Sequence, residues 1–428
     1  MKAIELKGLE KTLFHEQLKN GLDIYLLPYP DKTNYFISYA TRYGSDVLSF
    51  KDGGEYTPPL GVAHYLEHKL FEEPSGEDPF TFFSYSGSDG NASTSYDNTQ
   101  YICMGSKNFK ENLSYLLRFV NNPYFTDENV EKEKGIIAEE IKMYNDQPDY
   151  KLEMKLRENI YHISPRRYDI AGSVDEIKRI TKEDLYKCYE AFYKPNNMFV
   201  LITGKFDPEE ALSIIREELD HKVEDELPIV IKVKEPKTVV KASDTIYESI
   251  EIPKIGYGVK IPKSCISLDE LETNLYLNML TTILFGASSE FRERTRESKI
   301  LNDIYLDWEE EENYHTFYIM ASTTSPEQLL QEIQYELTHV SVSERSLERI
   351  KKVWIANEIK MIDNPDKTQS NLFDDIITYR KVIPNRIEII KKMNIKELEK
   401  LVKGLDLSHV SIIKMLNKKS KKERNYDS

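Results

Sequence analysis

Apolar and polar residues alternate in short runs near the start of the chain, at LDIYLLP (22–28) and NYFISYATRYGS (34–45). Alternation with a period of two predicts half-buried β-strands. In later stretches apolar residues recur every three or four positions, which is the spacing of an amphipathic helix. Helices are predicted near 61–73, 108–120, 127–146, 149–163 and 178–193, strands at 98–106 and 197–206, and a Gly/Ser-rich turn at 86–95.

A similar order of strand, helix and strand returns in the second half of the chain, near 247–261, 272–286 and 315–324. Between the two halves, residues 223–245 combine charge with two prolines and have no helical period, which is typical of a linker. We therefore predict an α+β protein with two related halves, each a mixed or antiparallel sheet covered by helices. The predicted domains are 1–222 and 246–428, joined by the linker 223–245.

Length and composition limit the classes of partner. A chain of 428 residues is longer than one hydrophobic core usually allows, which agrees with two domains. The net charge of −15 argues against nucleic acid or an anionic membrane as the main partner. The three cysteines lie far apart in the sequence, and no stretch approaches eighteen uninterrupted apolar residues. We therefore expect a soluble, cytoplasmic protein in a reducing compartment.

The segment GVAHYLEHKLFEE (61–73) carries two histidines and a glutamate in an otherwise mostly apolar helix. Residues four apart lie on one helical face, so His64 and His68 can direct ring nitrogens to a common point. Two imidazoles so placed form half of a tetrahedral zinc site, and Glu67 is the candidate base for a zinc-activated water. The alternative, ordinary surface or satisfied core polar groups, is weakened by the apolar residues around the helix, because buried ionisable groups need partners.

A third ligand is predicted on the helix at 127–146. Its core-facing stripe consists of Val130, Ile137, Ile141 and Tyr144. Glu133 and Glu140 lie at the edge of this stripe, and two carboxylates on a buried face need a partner such as a metal ion. Spacing leaves both glutamates as candidates, and we favour Glu140 as the ligand because it lies beside Ile141.

The H-x-x-E-H pattern of His64, Glu67 and His68 is the inverted form of the zinc-peptidase motif H-E-x-x-H. Together with EKEKGIIAEEI, NASTSYDNTQY (91–101) and the segment 169–207, it resembles the pitrilysin/insulinase family of zinc metallopeptidases. This resemblance implies a processing-peptidase-like fold and one Zn²⁺ per chain. It also implies that His64, His68 and Glu140 bind the zinc, with Glu67 as general base and Glu133 as an assisting catalytic residue.

The resemblance also implies how a peptide is held. The segment 91–101 resembles the family's active-site edge strand, and substrate is expected to bind as an extra strand along its residues Asn91 and Ala92, through main-chain hydrogen bonds. In the second half, FRERTRESKILNDIY aligns Arg296 with a family arginine that contacts substrate. Asn302 stands where the family has a tyrosine, and Tyr305 is the nearby tyrosine considered as its substitute.

The predicted function is a zinc-dependent endopeptidase that hydrolyses peptides or unfolded segments. The alternative is a non-catalytic structural or regulatory subunit of a pitrilysin-like heterodimer, and the intact motif counts against it. No second H-x-x-E-H occurs in the later half, so that half is expected to form a chamber wall or an assembly surface. The family resemblance implies a homodimer, or a heterodimer with a related chain that is either active or inactive.

Overall fold

The computed structural model of this chain describes residues 1–221 and 226–418. Its strands are β1 Lys2–Leu6, β2 Lys11–Gln17, β3 Asp23–Pro28, β4 Tyr35–Thr41, β5 Phe50–Lys51, β6 Glu55–Tyr56, β7 Ser88–Thr94, β8 Thr99–Gly105, β9 Met198–Gly204, β10 Ile229–Val230, β11 Ser243–Glu248, β12 Lys254–Pro262, β13 Leu301–Glu310, β14 Tyr314–Thr323 and β15 Val410–Asn417. Its α-helices are α1 Val62–Leu70, α2 Pro79–Ser86, α3 Phe109–Asn121, α4 Asp127–Asn145, α5 Pro148–Ile160, α6 Val174–Arg179, α7 Lys182–Phe192, α8 Pro208–Leu219, α9 Glu270–Phe285, α10 Glu290–Glu297, α11 Pro326–Thr338, α12 Glu344–Met361, α13 Pro365–Tyr379, α14 Arg386–Lys392 and α15 Ile395–Gly404.

The chain forms two compact units that interleave along the sequence. The first unit contains Met1–Lys142, Asp169–Lys232 and Ala356–Glu388, and the second contains Met143–Tyr168, Val233–Ile355 and the chain from Ile389 onward. Each unit thus takes segments from both sides of the predicted linker 223–245, of which residues 223–225 lie outside the described residues. The division into 1–222 and 246–428 stays a prediction.

A seven-stranded sheet is the centre of the first unit, in the order β1-β2-β3-β9-β4-β8-β7. Its strand pairs are antiparallel except for β3 and β9, which run parallel. The sequence MFVLITG of β9 is buried at every position, as expected for a central strand with both faces covered. Strand β7 lies at one end of this order, where it pairs with β8.

Helices cover both faces of this sheet, and the alternation of strand side chains decides which face each residue joins. On one face, Ile24 and Val200 pack in a large core with buried residues of α1, α3, α4, α7 and α8. On the other face, Tyr25 and Leu201 pack against buried residues of α13, among them Phe373. Helix α4 therefore lies on the same side of the sheet as α1, which is the packing that the predicted metal site needs.

The second unit is built on a five-stranded sheet in the order β11-β15-β12-β14-β13. One face forms a core with helices α9, α11, α12 and α15, and the other packs against Leu152, Leu156 and Ile160 of α5. Pairs in this sheet are antiparallel except β11 with β15, so both large sheets are mixed. The predicted fold class, α+β with helix-covered mixed sheets in two halves, is confirmed.

Three local predictions differ from the structure. The Gly/Ser-rich segment 86–95, predicted as a turn from its composition, is mostly strand β7, because pairing with β8 overrides that composition. Its place at the end of the sheet agrees with the edge strand that the resemblance implied. The helix predicted at 178–193 is interrupted before Thr181, whose hydroxyl and the carboxylate of Asp184 form a capping box that starts α7. The strand predicted at 247–261 is two strands, β11 and β12, and Pro253 lies in the break between them.

Candidate metal centre

Helix α1 presents the two histidines of the motif side by side. Gly61 precedes the helix with φ 88°, and a Cβ atom there would lie 2.3 Å from the carbonyl oxygen of Ala171. Only glycine fits both this backbone conformation and this contact. Within α1 the apolar side chains are buried, and the rings of His64 and His68 lie with their centroids 4.7 Å apart.

Helix α4 brings a carboxylate to these rings. Val130, Ile137 and Ile141 are buried as the predicted stripe requires, whereas Tyr144 is 38% exposed. Oε2 of Glu140 lies 3.8 Å from Nε2 of His64 and 3.4 Å from Nε2 of His68. The three residues that the sequence singled out as ligands are thus brought together.

The geometry of this triad fits a zinc ion. Among the described residues, one group of histidine, cysteine and acidic side chains has ligand atoms close enough to hold a metal, namely His64, His68 and Glu140, within 4.8 Å of one another. Tetrahedral zinc with bonds of about 2.0–2.2 Å holds its ligand atoms about 3.3–3.5 Å apart. The observed separations of 3.4 and 3.8 Å are close to this spacing. Three protein ligands leave one tetrahedral position for water or substrate.

Glu133 occupies a different place from Glu140. Its Oε1 accepts a hydrogen bond from Nδ1 of His68 at 3.0 Å, on the side of the ring opposite to Nε2. A carboxylate that accepts from the far nitrogen of a ligating histidine sets the tautomer and orientation of the ring. The structure thus gives different positions to the two glutamates that spacing left open: Glu140 faces the Nε2 atoms and Glu133 faces Nδ1.

Electrostatics make this cluster a favourable place for positive charge. Burial, and next the charge of His68, lowers the pKa of His64 to about 4. Burial also acts against the charged form of His68, but its hydrogen bonds with Glu133 and Glu140 outweigh burial and raise its pKa to about 9. The hydrogen bond with His68 holds the pKa of Glu140 below its ordinary value. Two carboxylates around two imidazoles thus attract a proton or a metal cation.

Glu67 lies beside the triad and has its own partner. Oγ1 of Thr94, on β7, donates a hydrogen bond to Oε2 of Glu67 at 2.5 Å. Burial raises the pKa of Glu67, and the hydrogen bond from Thr94 acts in the opposite direction. A partly buried carboxylate held in this way suits proton transfer.

The sequence did not single out Thr94 or Lys69, the fully buried lysine that follows His68. The signal for Lys69 was a charge in the middle of an apolar helix, which predicts a buried partner.

A cleft of about 770 Å³ opens beside Glu67 and His68, and Asn91 and Ala92 of β7 line it. Its other lining residues include the acidic Glu72, Glu73, Glu77, Asp78 and Glu128, and the apolar Phe71, Phe80, Tyr124 and Ile136. The predicted peptide-binding residues of β7 and the predicted base therefore share one cleft. Its acidic walls favour neutral or basic chains.

The residues predicted from the second half are in the second unit. Arg296 is exposed in α10, and Tyr305 is 53% exposed on β13, the strand at the end of the five-stranded sheet. Asn302 is on the same strand, at the position where the family tyrosine was expected. The substrate-binding role of Arg296 stays a prediction.

Comparison with known proteins places the chain in a family. The family model described as Insulinase (Peptidase family M16) matches residues 48–173, and the one described as Peptidase M16 inactive domain matches residues 179–353. A Bacillus subtilis (strain 168) protein named "Uncharacterized zinc protease YmfH" is 37% identical over 376 residues, which cover 86% of this chain and 87% of that protein. The chain belongs to the insulinase family, peptidase family M16.

Solved structures agree with this assignment. The crystal structure of a putative M16-like peptidase from Alicyclobacillus acidocaldarius has a TM-score of 0.89 and 29% identity, covering 96% of this chain and 99% of that one. The first half of the periplasmic protease PqqL from Escherichia coli has a TM-score of 0.77 at 19% identity, covering 99% and 95% of the two chains, and shares the fold. The predicted family and fold are therefore confirmed for this insulinase-family chain.

Two further observations concern the cysteines and the hydrophobicity of the helices. Cys103, Cys188 and Cys265 are all free, as the separated positions in the sequence predict. Among the described residues, no helix combines the length and the apolar character that crossing a bilayer requires.

Proposed function

We propose that the chain is a zinc-dependent endopeptidase that hydrolyses peptide bonds in peptides or unfolded segments. The observation that carries this proposal is the convergence of His64, His68 and Glu140 next to a partly buried carboxylate, Glu67, at the side of an acidic cleft that Glu67 and His68 line. Membership of a peptidase family and relatives named zinc proteases support it.

In this proposal His64, His68 and Glu140 would hold one zinc ion per chain, because their ligand atoms lie within 4.8 Å of one another. A zinc ion bound there supplies Lewis acidity, which polarises a peptide carbonyl and makes a water molecule more acidic. Glu133 keeps the ring of His68 in the ligating orientation through the hydrogen bond at Nδ1.

Glu67 acts as the general base and then as the general acid. Its carboxylate accepts a proton from the attacking water and passes it to the leaving amine. The hydroxyl of Thr94 restrains this carboxylate, so that its other oxygen is available for the proton. The proposal thus gives the proton transfer to a residue that is not one of the three ligands, and the hydrogen bond from Thr94 and the raised pKa of Glu67 support it.

The peptide is proposed to extend the seven-stranded sheet as a strand beside β7. In the described sheet β7 pairs with β8 and ends the strand order, which leaves one edge for main-chain pairing. The N–H of Ala92 donates to Oδ1 of Asn91 at 2.9 Å. A substrate carbonyl that pairs with this N–H would have to replace the Asn91 oxygen, so Asn91 tunes how readily the edge accepts a peptide.

Zinc content and peptide cleavage test the proposal in wild type and Glu67→Gln. We expect about one zinc per chain in both proteins, and cleavage of a peptide library by wild type only. The matched control is Glu128→Gln, which changes a glutamate of the same cleft that is neither a ligand nor the base. Full cleavage by Glu67→Gln, or a wild type that neither binds zinc nor cleaves, would reject the proposal.

We further propose that the protein acts in the cytoplasm and works as a dimer, with itself or with a related chain that lacks the motif. The separated free cysteines support the location, because extracellular proteins more often carry disulfides. Residues 179–353 match a domain described as inactive, which supports an assembly that combines catalytic domains with non-catalytic ones. Purification from the native cell, with identification of co-eluting chains, tests the pairing.

A further inference from the structure

A fully buried lysine lies next to the metal centre. The side chain of Lys69 in α1 has no exposed surface, and Lys69 directly follows His68. Lysine is almost never fully buried without partners, because an unpaired ammonium inside a protein is costly. Its contacts therefore indicate what its charge stabilises.

The ammonium of Lys69 contacts three groups. Nζ donates to the carbonyl oxygen of Asn129 at 3.1 Å and to the carboxylate of Glu72, and it lies 3.8 Å from Oε2 of Glu133. Asn129 and Glu133 are both in α4, so one side chain connects α1 with the first half of that helix. Glu72 is part of the same segment as Lys69 and is about one third exposed.

The two oxygens of Glu133 have separate partners. Oε1 accepts from Nδ1 of His68 at 3.0 Å, while Oε2 faces Nζ of Lys69 at 3.8 Å. A neutral histidine that donates from Nδ1 has its lone pair on Nε2, and Nε2 of His68 is the atom that faces Glu140 at 3.4 Å. A contact at one oxygen of Glu133 thus restrains the carboxylate that orients the ring.

We propose that Lys69 is a positioning residue for the metal centre. Lys69 holds the carboxylate of Glu133 in the place where that carboxylate orients the ring of His68 for zinc. The charge of Lys69 acts on Glu133, and its hydrogen bond to the Asn129 carbonyl of the same helix holds the ammonium beside that carboxylate. The inference rests on the zinc site of the proposed function. It goes beyond that function by assigning a role to Lys69, which positions Glu133.

The test uses a double-mutant cycle on zinc affinity in the full chain. Zinc affinity is measured by competition with a chelator for wild type, Lys69→Met, Glu133→Gln and the double variant, and the visible spectrum of the cobalt-loaded proteins reports the ligand geometry. Lys69→Gln is the second variant, because an amide can still donate to Asn129 but carries no charge. Glu72→Gln is the matched control, since it removes the other carboxylate partner of Lys69 and does not touch His68.

Loss of an outer partner of a metal ligand typically weakens metal binding by about 10–100-fold. We expect losses of this size, with an altered cobalt spectrum, for Lys69→Met, Lys69→Gln and Glu133→Gln, and unchanged binding for Glu72→Gln. The double variant should bind about as weakly as Glu133→Gln alone, because Lys69 acts through Glu133.

Three results would overturn the inference. The first is a folded Lys69→Met or Lys69→Gln protein that binds zinc as tightly as wild type. The second is a double variant in which the two single losses of zinc affinity multiply. The third is a loss of zinc affinity in Glu72→Gln as large as that in Lys69→Gln. If Lys69→Met does not fold, Lys69→Gln decides the question. A wild type that binds no zinc at all would instead reject the proposed function, so the two failures are distinguishable.

Discussion

Replacing Thr94 by valine removes one hydroxyl and keeps the shape of the side chain. In the structure that hydroxyl donates to Oε2 of Glu67 at 2.5 Å, and Thr94 is not a member of the ligand triad. The substitution therefore tests how much the restraint on the general base contributes to catalysis. It should leave zinc content unchanged.

The size of the effect follows from the type of hydrogen bond. Hydrogen bonds to charged groups contribute about 1.5–3 kcal/mol, and about 1.4 kcal/mol corresponds to a tenfold change in rate. We therefore expect kcat/KM of Thr94→Val to fall by about 10- to 100-fold. The lost donor stabilised the ionised carboxylate, so the pKa of Glu67 should rise and the acidic limb of the pH–rate profile should move to higher pH.

The assay is the pH dependence of kcat/KM for one cleaved peptide, with zinc content measured on the same samples. Ser93→Ala is the matched control, because Ser93 is the preceding residue of β7 and its hydroxyl accepts from Gln100 rather than contacting Glu67. If Thr94→Val retains both the wild-type kcat/KM and the wild-type acidic limb, the hydroxyl does not support the base, and the role assigned to Thr94 is wrong.

Two further predictions concern stability, and both are read from urea unfolding. Lys260→Met breaks the buried ion pair with Glu235 (2.8 Å) and should lower the free energy of unfolding by about 3–5 kcal/mol. The control Lys155→Met, at the exposed ion pair with Glu158, should change that free energy by less than about 1 kcal/mol. Equal losses of stability in the two variants would contradict the role of burial. Gly61→Ala forces a Cβ to 2.3 Å from a backbone oxygen at φ 88° and should cost about 2–4 kcal/mol. Gly53→Ala, also at positive φ but with open space around it, should cost no more than about 2 kcal/mol, and a reversed order would refute the steric argument.

Local sequence patterns predicted the parts of the site that one element contains. The four-residue spacing of His64 and His68 determines that both rings share a face of α1, because the helical period alone sets that direction. The buried positions Val130, Ile137 and Ile141 of α4 follow from the same period. Motif and resemblance together predicted the family and the fold class, which the comparisons confirm.

Segments whose structure depends on a partner from another element were less predictable. The segment 86–95 has the composition of a turn, yet most of it is strand β7, because β8 supplies the partner that composition cannot indicate. Glu235 lies in the stretch predicted as a linker, but it is buried and pairs with Lys260 in the second unit. A polar, proline-containing sequence therefore did not exclude a buried role.

Tertiary structure alone decided which atom each acidic residue faces. The helical period gave Glu133 and Glu140 similar directions, and only the packing of α4 on α1 placed Glu140 at Nε2 and Glu133 at Nδ1 of His68. The contacts of Thr94 and Lys69 likewise join residues 27 and 60 positions apart. A sequence period describes directions around one helix axis, whereas ligand and proton-transfer geometry depends on the approach of a second element, which folding of the whole unit determines.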